Sequence, residues 1–240
     1  MEDRMATAAL PLDRIVTRAF PPLRPYAPHY LRFFDDLAEL YGHPQESRKL
    51  YGQRRITFVE MVGELVGELA DPSEPVDVLM LAHATPDAEP TWPACLLADA
   101  LPGAPLTFAV ADQGTVTPFT ALRILASRLT GAAQHAVLLI LDQVTLLRGS
   151  APTSGVELPR ENRLVALVFH PRCSIGKLSV AVDPDVPPKQ AAARFLKWGS
   201  DPQDPTIATG HRPLTPTDPQ PVWQLRPAQQ GLPATGPWLT

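Results

Sequence analysis

Cysteine is scarce in this 240-residue chain: Cys95 and Cys173 are the only two. Two thiols far apart in sequence exclude a disulfide framework and carry no metal-ligand spacing, so both are expected reduced. Charge is sparse as well, with 19% Asp, Glu, Lys and Arg where about a quarter is usual. The formal net charge is -4 and no basic stripe appears, which removes the electrostatic footprint of a nucleic-acid binder. No apolar run approaches the roughly 20 residues of a membrane span. The opening MEDRMATAALPLDRIV holds acidic residues and no apolar signal core. The chain is therefore expected to be cytoplasmic, with no nucleic-acid or membrane partner, no metal and no cofactor. Proline is the excess, at 29 residues where about 5% is typical, and much of it lies near the two ends. The hydrophobic share of 45% is ample for one buried core.

The informative stretch runs from 75 to 143. Three apolar runs, Val76–Ala84, Leu106–Ala111 and Ala136–Asp142, alternate with helical patterns over Trp92–Leu101 and Pro118–Leu129. Short apolar runs separated by helix-length segments predict βαβ units and a parallel sheet. Pro118 suits a first helical position.

The flanks are read in order. Residues 1–11 are expected to be disordered and Leu12–Phe20 to form a first strand, stopped by Pro21-Pro22. A helix over His29–Tyr41 places Tyr30, Phe33, Phe34, Leu37, Leu40 and Tyr41 on one apolar face. Glu46–Arg55 reads as charged and exposed. Thr57 with Glu60 forms a capping-box pattern ahead of a helix that buries Phe58, Met61, Val62, Leu65, Val66 and Leu69. Its wet face is expected to hold Glu60, Glu64 and Glu68. Leu146–Glu161 is a polar excursion. Arg163–His170 and Lys177–Asp183 are predicted to pair antiparallel around a Ser-Ile-Gly turn, and Pro187–Trp198 to form a last helix. Residues 199–240 read as a largely irregular Pro-rich tail, with Trp223, Leu225, Trp238 and Leu239 able to pin it to the body or to a second subunit.

DVLMLAHATPDAEPTWPACLLADALPGA and TFAVADQGTVTPFTALRILASRLTGAAQHAVLLILDQ, in this order of elements, resemble the N-terminal half of the thiolase superfamily. The likeness is to ketosynthase III-like β-ketoacyl synthases in particular and covers roughly residues 12–183. The fold it implies is α/β, a single thiolase-like half (12–198) with a mixed, mostly parallel five-stranded sheet flanked by helices. The second segment is similar to the one that delivers the family's nucleophilic cysteine to a helix start. Counting back from Ala121-Leu122, that cysteine falls at Thr115, or within a residue of it at Gly114 or Val116. A thiolate is needed there because the helix start lowers its pKa and backbone N–H groups hold the acyl oxyanion. An unactivated threonine does not replace it. The family's second half, with its catalytic His and Asn, is also expected to be missing, since His211 in TGHRPLTP does not match that motif.

The resemblance thus implies a degenerate ketosynthase-like protein of polyketide or fatty-acid-like secondary metabolism. It would bind an acyl chain or acyl carrier protein without condensing it, as a homodimer or as a heterodimer with a full-length ketosynthase. The alternatives are a thioester-acting enzyme (hydrolase, dehydratase or acyltransferase) and a non-enzymatic scaffold acting through its tail; whether the chain is an enzyme stays open.

Ligands of α/β folds sit at the carboxyl ends of the strands. Those ends carry His83, Thr85, Asp87, Asp112, Gln113, Thr115, Asp142 and Gln143. In the functional reading, Thr115 with His83 as base and Asp112 beside them would be catalytic, and Gln113, Gly114, Thr117 and Asp87 would hold substrate. In the plainer one, Asp112 and Thr117 cap a helix and His83 is a satisfied core histidine. His170-Pro171-Arg172-Cys173 is either a nucleophilic pair or an ordinary turn. Cys95 reads as core, and Arg48, Lys49, Arg54 and Arg55 as a basic cluster for an acidic carrier or as a solvated loop.

Overall fold

A computed structural model describes residues 9–42, 48–129, 135–144, 159–178 and 180, together with 206–209, 224–227, 232, 234, 235 and 238. Its centre is a six-stranded sheet in the order β5-β4-β6-β7-β1-β8. The strands are β1 (Leu10–Phe20), β4 (Val78–His83), β5 (Leu106–Ala111), β6 (Ala136–Asp142), β7 (Asn162–Phe169) and β8 (Gly176–Leu178). β4 pairs in parallel with β5 and β6, β7 runs antiparallel to β6 and β1, and β8 is antiparallel to β1. Four of the six strands thus share a direction, as expected of a mixed, mostly parallel α/β sheet. The sixth strand exceeds the five predicted. It arises because β7 and β8 do not pair with each other as a hairpin: β1 lies between them and satisfies both edges. The chain crosses the start of β1 through Pro171–Ile175, with His170 N–H donating to Pro11 O and Ile175 N–H to Leu12 O. β1 therefore begins at Leu10, inside the segment read as disordered.

β6 is buried along its whole length because helices cover both faces of the sheet. On one side Ala136, Leu138 and Ile140 pack with Val78, Met80 and Ala82 of β4. Ala121, Leu122, Leu125 and Ala126 of α5 (Thr117–Arg128) close this layer. On the other side Val137, Leu139 and Leu141 pack with Leu79 and Leu81. Here the cover comes from α2 (Phe58–Gly63), α3 (Val66–Leu69) and α4 (Pro93–Ala100). Each such buried aliphatic side chain contributes about 1.5–3 kcal/mol. The strand pleat assigns alternate residues to opposite layers, and this decides where the functional candidates point.

Several local expectations are corrected. The helix read over 57–69 breaks into α2 and α3 at Glu64-Leu65, though the capping box between Thr57 and Glu60 forms as predicted. In α1 (Pro28–Leu40) only Phe34 is buried, against Tyr26, Leu50 and Ala88. Phe33, Leu37, Leu40 and the adjoining Tyr41 are exposed, because α1 packs at the rim of the body rather than on the sheet. Cys95 is exposed on α4 instead of core. The helix read over 187–198 and most of the excursion 146–161 lie outside the described residues. In the segment read as an irregular tail, β9 (Thr206–Thr209) and β10 (Gln224–Pro227) pair in parallel. The short pair β2 (Arg24–Pro25) and β3 (Arg54–Arg55) ties the α1 entry to the start of α2. Among the described residues no helix is long and apolar enough to cross a membrane.

Candidate functional site

The carboxyl ends of β4, β5 and β6 hold the polar residues flagged in the sequence, split by the pleat into two groups. On the α5 side lies the turn after β5. Asp112 (φ 62°) and Gly114 (φ 56°) both adopt the left-handed conformation, which glycine tolerates and Asp accepts better than most side chains. This sharp reversal leads through a 3₁₀ turn, Gly114–Val116, directly into α5. Asp112 and Gln113 are exposed and Thr115 is half-buried. Thr117 is buried, and its hydroxyl donates to Gly114 O at 2.8 Å rather than capping a helix end. Asp112 does not cap α5 either: the N-cap position is Val116. At the start of α5 the Thr117 N–H is taken by Gly114 O and Pro118 has no N–H, while the helix dipole favours a partial negative charge there. Asp142, the last residue of β6, shares this face.

His83 lies elsewhere. It follows Leu79 and Leu81 on the alternate face of β4, stacks on Phe58 of α2 (centroids 5.1 Å apart) and faces Thr85 O through Nδ1 at 2.7 Å. His83 and α5 are thus on opposite sides of the sheet. Among the described residues no hydrogen bond joins His83, Asp112 and Thr115.

The α2 side carries a buried polar network. Asp87 accepts the Phe58 N–H at 3.0 Å, the Gln143 amide at 3.1 Å and the Thr91 hydroxyl. Gln143 also donates to Ile56 O, and its Oε1 is buried without a partner among the described residues. Arg55, only 1% exposed, donates Nε to Glu89 Oε1 at 2.8 Å, pairs with Glu60 at 3.0 Å and lies over the Tyr26 ring. Arg55 therefore leaves the basic cluster read from the sequence, and Glu60 the wet helix face: Glu89 takes Nε and Nη2 of Arg55, and Glu60 takes Nη1. Burial alone would raise the Glu60 carboxyl pKa. The Thr57 amide and hydroxyl and the Arg55 and Arg24 charges outweigh it, holding the value below the ordinary range. Burial pushes the Tyr26 phenol well up, against the Arg55 charge and with the Glu89 and Asp87 charges. Reasoning from sequence placed Arg55 in a solvated basic cluster and did not single out Glu89, and no local pattern marks the pairing of the two.

The His170–Cys173 stretch is a turn. Arg172 N–H donates to His170 Nδ1, Cys173 N–H to His170 O, and the Cys173 thiol to Gly176 O. Among the described residues no group of three or more His, Cys, Asp or Glu side chains is placed to hold a metal ion.

Comparison with known proteins adds the following. A 3-oxoacyl-(acyl-carrier protein) synthase from Burkholderia xenovorans matches at a TM-score of 0.44 and 18% identity, covering 73% of this chain and 52% of that one. The acyltransferase ChlB3 matches at 0.41 and 14%, covering 67% and 50%. The tetronic acid condensing enzyme AbyA1 matches at 0.40 and 20%, covering 72% and 56%. This chain spans about half the length of the solved structures it matches. No protein-family model matches the chain, and no curated protein matches it.

Proposed function

We propose that this chain is a ketosynthase-like protein that receives an acyl thioester at the turn Asp112–Thr117 and does not condense it. The observation that carries the reading is the turn itself. Two left-handed residues re-aim the chain so that half-buried Thr115 stands at the start of a 12-residue helix. Backbone strain of this kind concentrates where a ligand is gripped, and a helix start suits a carbonyl or carboxylate oxygen. Attack on the carbonyl needs a thiolate or a hydroxyl paired with a base. The turn has no cysteine, and His83 sits across the sheet.

An acyl carrier protein is the natural bearer of the thioester, its acidic surface meeting the exposed Arg48 and Arg54. β5 is an edge strand with Leu106 exposed. Pairing of that edge with a second copy, or with a full ketosynthase, would cover a strand that otherwise invites aggregation. Two free cysteines suit a reducing compartment such as the cytoplasm, and secondary-metabolite assembly is the setting proposed.

The test is calorimetric titration of the protein with acyl-carrier-protein thioesters, followed by intact-mass analysis. Saturable binding is expected, with no condensation product, no acyl adduct on the protein, and loss of binding in Thr115→Trp. Absence of saturable binding overturns the reading. An acyl adduct that vanishes in Thr115→Ala would instead make the chain a thioester-acting enzyme.

A further inference from the structure

The turn between β7 and β8 is closed by an imidazole that acts as an acceptor. Arg172 N–H donates to His170 Nδ1 at 3.2 Å, and Cys173 N–H donates to His170 O at 2.9 Å. A neutral imidazole has one N–H and one lone pair. The lone pair is therefore on Nδ1 and the proton on Nε2, which lies 3.9 Å from Glu74 Oε2. A second proton can enter only at Nδ1, the atom that accepts from Arg172. Protonation turns that acceptor into a donor and sets two N–H groups against each other.

The turn decides where β8 lies. It carries the chain over the start of β1 to that strand's far edge, where Gly176–Leu178 pairs with Leu10–Leu12. His170 N–H donates to Pro11 O at 3.0 Å, Ile175 N–H to Leu12 O at 3.1 Å and Ser174 N–H to Asp13 Oδ1 at 3.3 Å. Cys173 holds φ at 50°, a conformation that costs energy in any residue with a side chain. The closed turn thus depends on its hydrogen bonds.

Charged groups meet His170 from each neighbouring element. Glu74, ahead of β4, accepts from Arg172 at 2.9 Å, and Arg172 lies 3.8 Å from Asp13 of β1. Asp71 feels the Arg172 charge as well. The Ser174 hydroxyl, ahead of the Arg172 charge, holds the Asp13 carboxyl below its ordinary range. His135, at the entry to β6, meets the His170 ring edge to face with centroids 5.2 Å apart. His135 is 5% exposed, and its Nδ1 has no partner among the described residues. Asp77 of the β4 entry accepts the His135 backbone N–H at 2.9 Å. Residues 130–134 carry no titratable side chain. Burial, and after it the His170 charge, keep the proton off His135.

We propose that His170 is a proton-operated latch: neutral, its Nδ1 closes the turn Pro171–Ile175, and protonated, it releases the turn and frees β8 from β1. Release bares the backbone edge of Leu10–Leu12. The latch does not rest on the acyl-binding function proposed above.

Hydrogen exchange of the full chain, read by mass spectrometry at pH 8 and pH 5, spans the range in which imidazoles ordinarily change charge. Rates are corrected for the pH dependence of chemical exchange. Peptides covering 170–178 are expected to lose about three- to tenfold in protection at pH 5, the effect of about one hydrogen bond, while those of β4 and β6 keep theirs. His170→Asn sets an amide oxygen at the position of Nδ1 and cannot be protonated, so its turn is expected to be protected equally at both pH values. Unchanged protection of 170–178 in the wild type overturns the latch, and so does the same acid response in His170→Asn. A response that persists in His135→Gln supports His170 as the proton acceptor; one that disappears there overturns it. Equal losses in β4, β6 and 170–178 are global unfolding and also overturn it. Imidazole nitrogen-15 shifts at pH 8 check the tautomer without any substitution: a proton on Nε2 of His170 is expected, and a proton on Nδ1 overturns the latch.

Discussion

Arg55→Met tests whether the buried ion network holds the α2 side of the sheet edge together. The substitution keeps an apolar stem of similar length and removes the charge. Glu89, 3% exposed, then loses the bonds from Nε and Nη2 of Arg55, and Glu60 keeps only Arg24. A buried carboxylate without its counter-ion escapes by taking up a proton. From an ordinary glutamate value of about 4.3, that costs about 3.7 kcal/mol at pH 7, at about 1.36 kcal/mol per pH unit. This lies within the roughly 3–5 kcal/mol seen when one partner of a buried pair is removed. Because the escape is protonation, the penalty shrinks with acidification, to about 1 kcal/mol at pH 5. Urea unfolding of wild type and Arg55→Met at pH 7, 6 and 5 gives the difference at each pH. The double variant Arg55→Met with Glu89→Leu removes both charges and is expected to recover most of the loss. A penalty that does not change with pH, or one below about 1 kcal/mol at pH 7, would refute the reasoning by showing Glu89 to be hydrated.

Further outcomes follow from the packing. Gly103 has φ 98°, and a Cβ there would lie 2.7 Å from Pro75 Cβ and 2.9 Å from Val76 O. Gly103→Ala is therefore expected to cost at least about 2 kcal/mol in chemical denaturation, while Gly42→Ala (φ 73°, nothing within 4 Å) costs about 1 kcal/mol. Leu139, fully buried in β6, should lose about 2–5 kcal/mol on change to Ala, measured the same way. Burial, aided by the His170 charge, lowers the pKa of His135 below its ordinary 6.5. The unfolded chain then binds a proton that the folded one refuses, so stability is full above 6.5 and falls as pH drops through the lowered value. Glu60, held below 4.5, adds a second loss in the same direction at more acid pH. Melting temperature against pH should show both windows, and His135→Gln should remove the upper one.

What the sequence disclosed and what it hid divide along physical lines. β4, β5 and β6 were legible because strands covered on both faces are apolar throughout, and α5 because a proline opens it. The capping box was legible because both partners lie within four residues. Strand order was not: that β1 enters between β7 and β8 depends on backbone bonds across more than 140 residues of chain. Arg55 read as surface because its partner Glu89 is 34 residues away. The exposed face of α1 shows the reverse error, an apolar stripe with only Phe34 taken into the body. The turn ahead of α5 was legible as well, but the fold does not bring His83 to Thr115. In a strand apolar on both faces, no alternation marks which residues look which way.

That parity also bears on chemistry. Adjacent residues at the end of β6, Asp142 and Gln143, serve opposite layers: one accepts from Ala234 and Thr235, the other ties Ile56 and Asp87 of the α2 side. A base for Thr115 would have to come from the α5 layer, where the Asp142 carboxylate accepts from Ala234 and Thr235. One step of the strand pleat thus sets His83 and Thr115 on opposite layers, and a proton transfer between them would need a different strand parity.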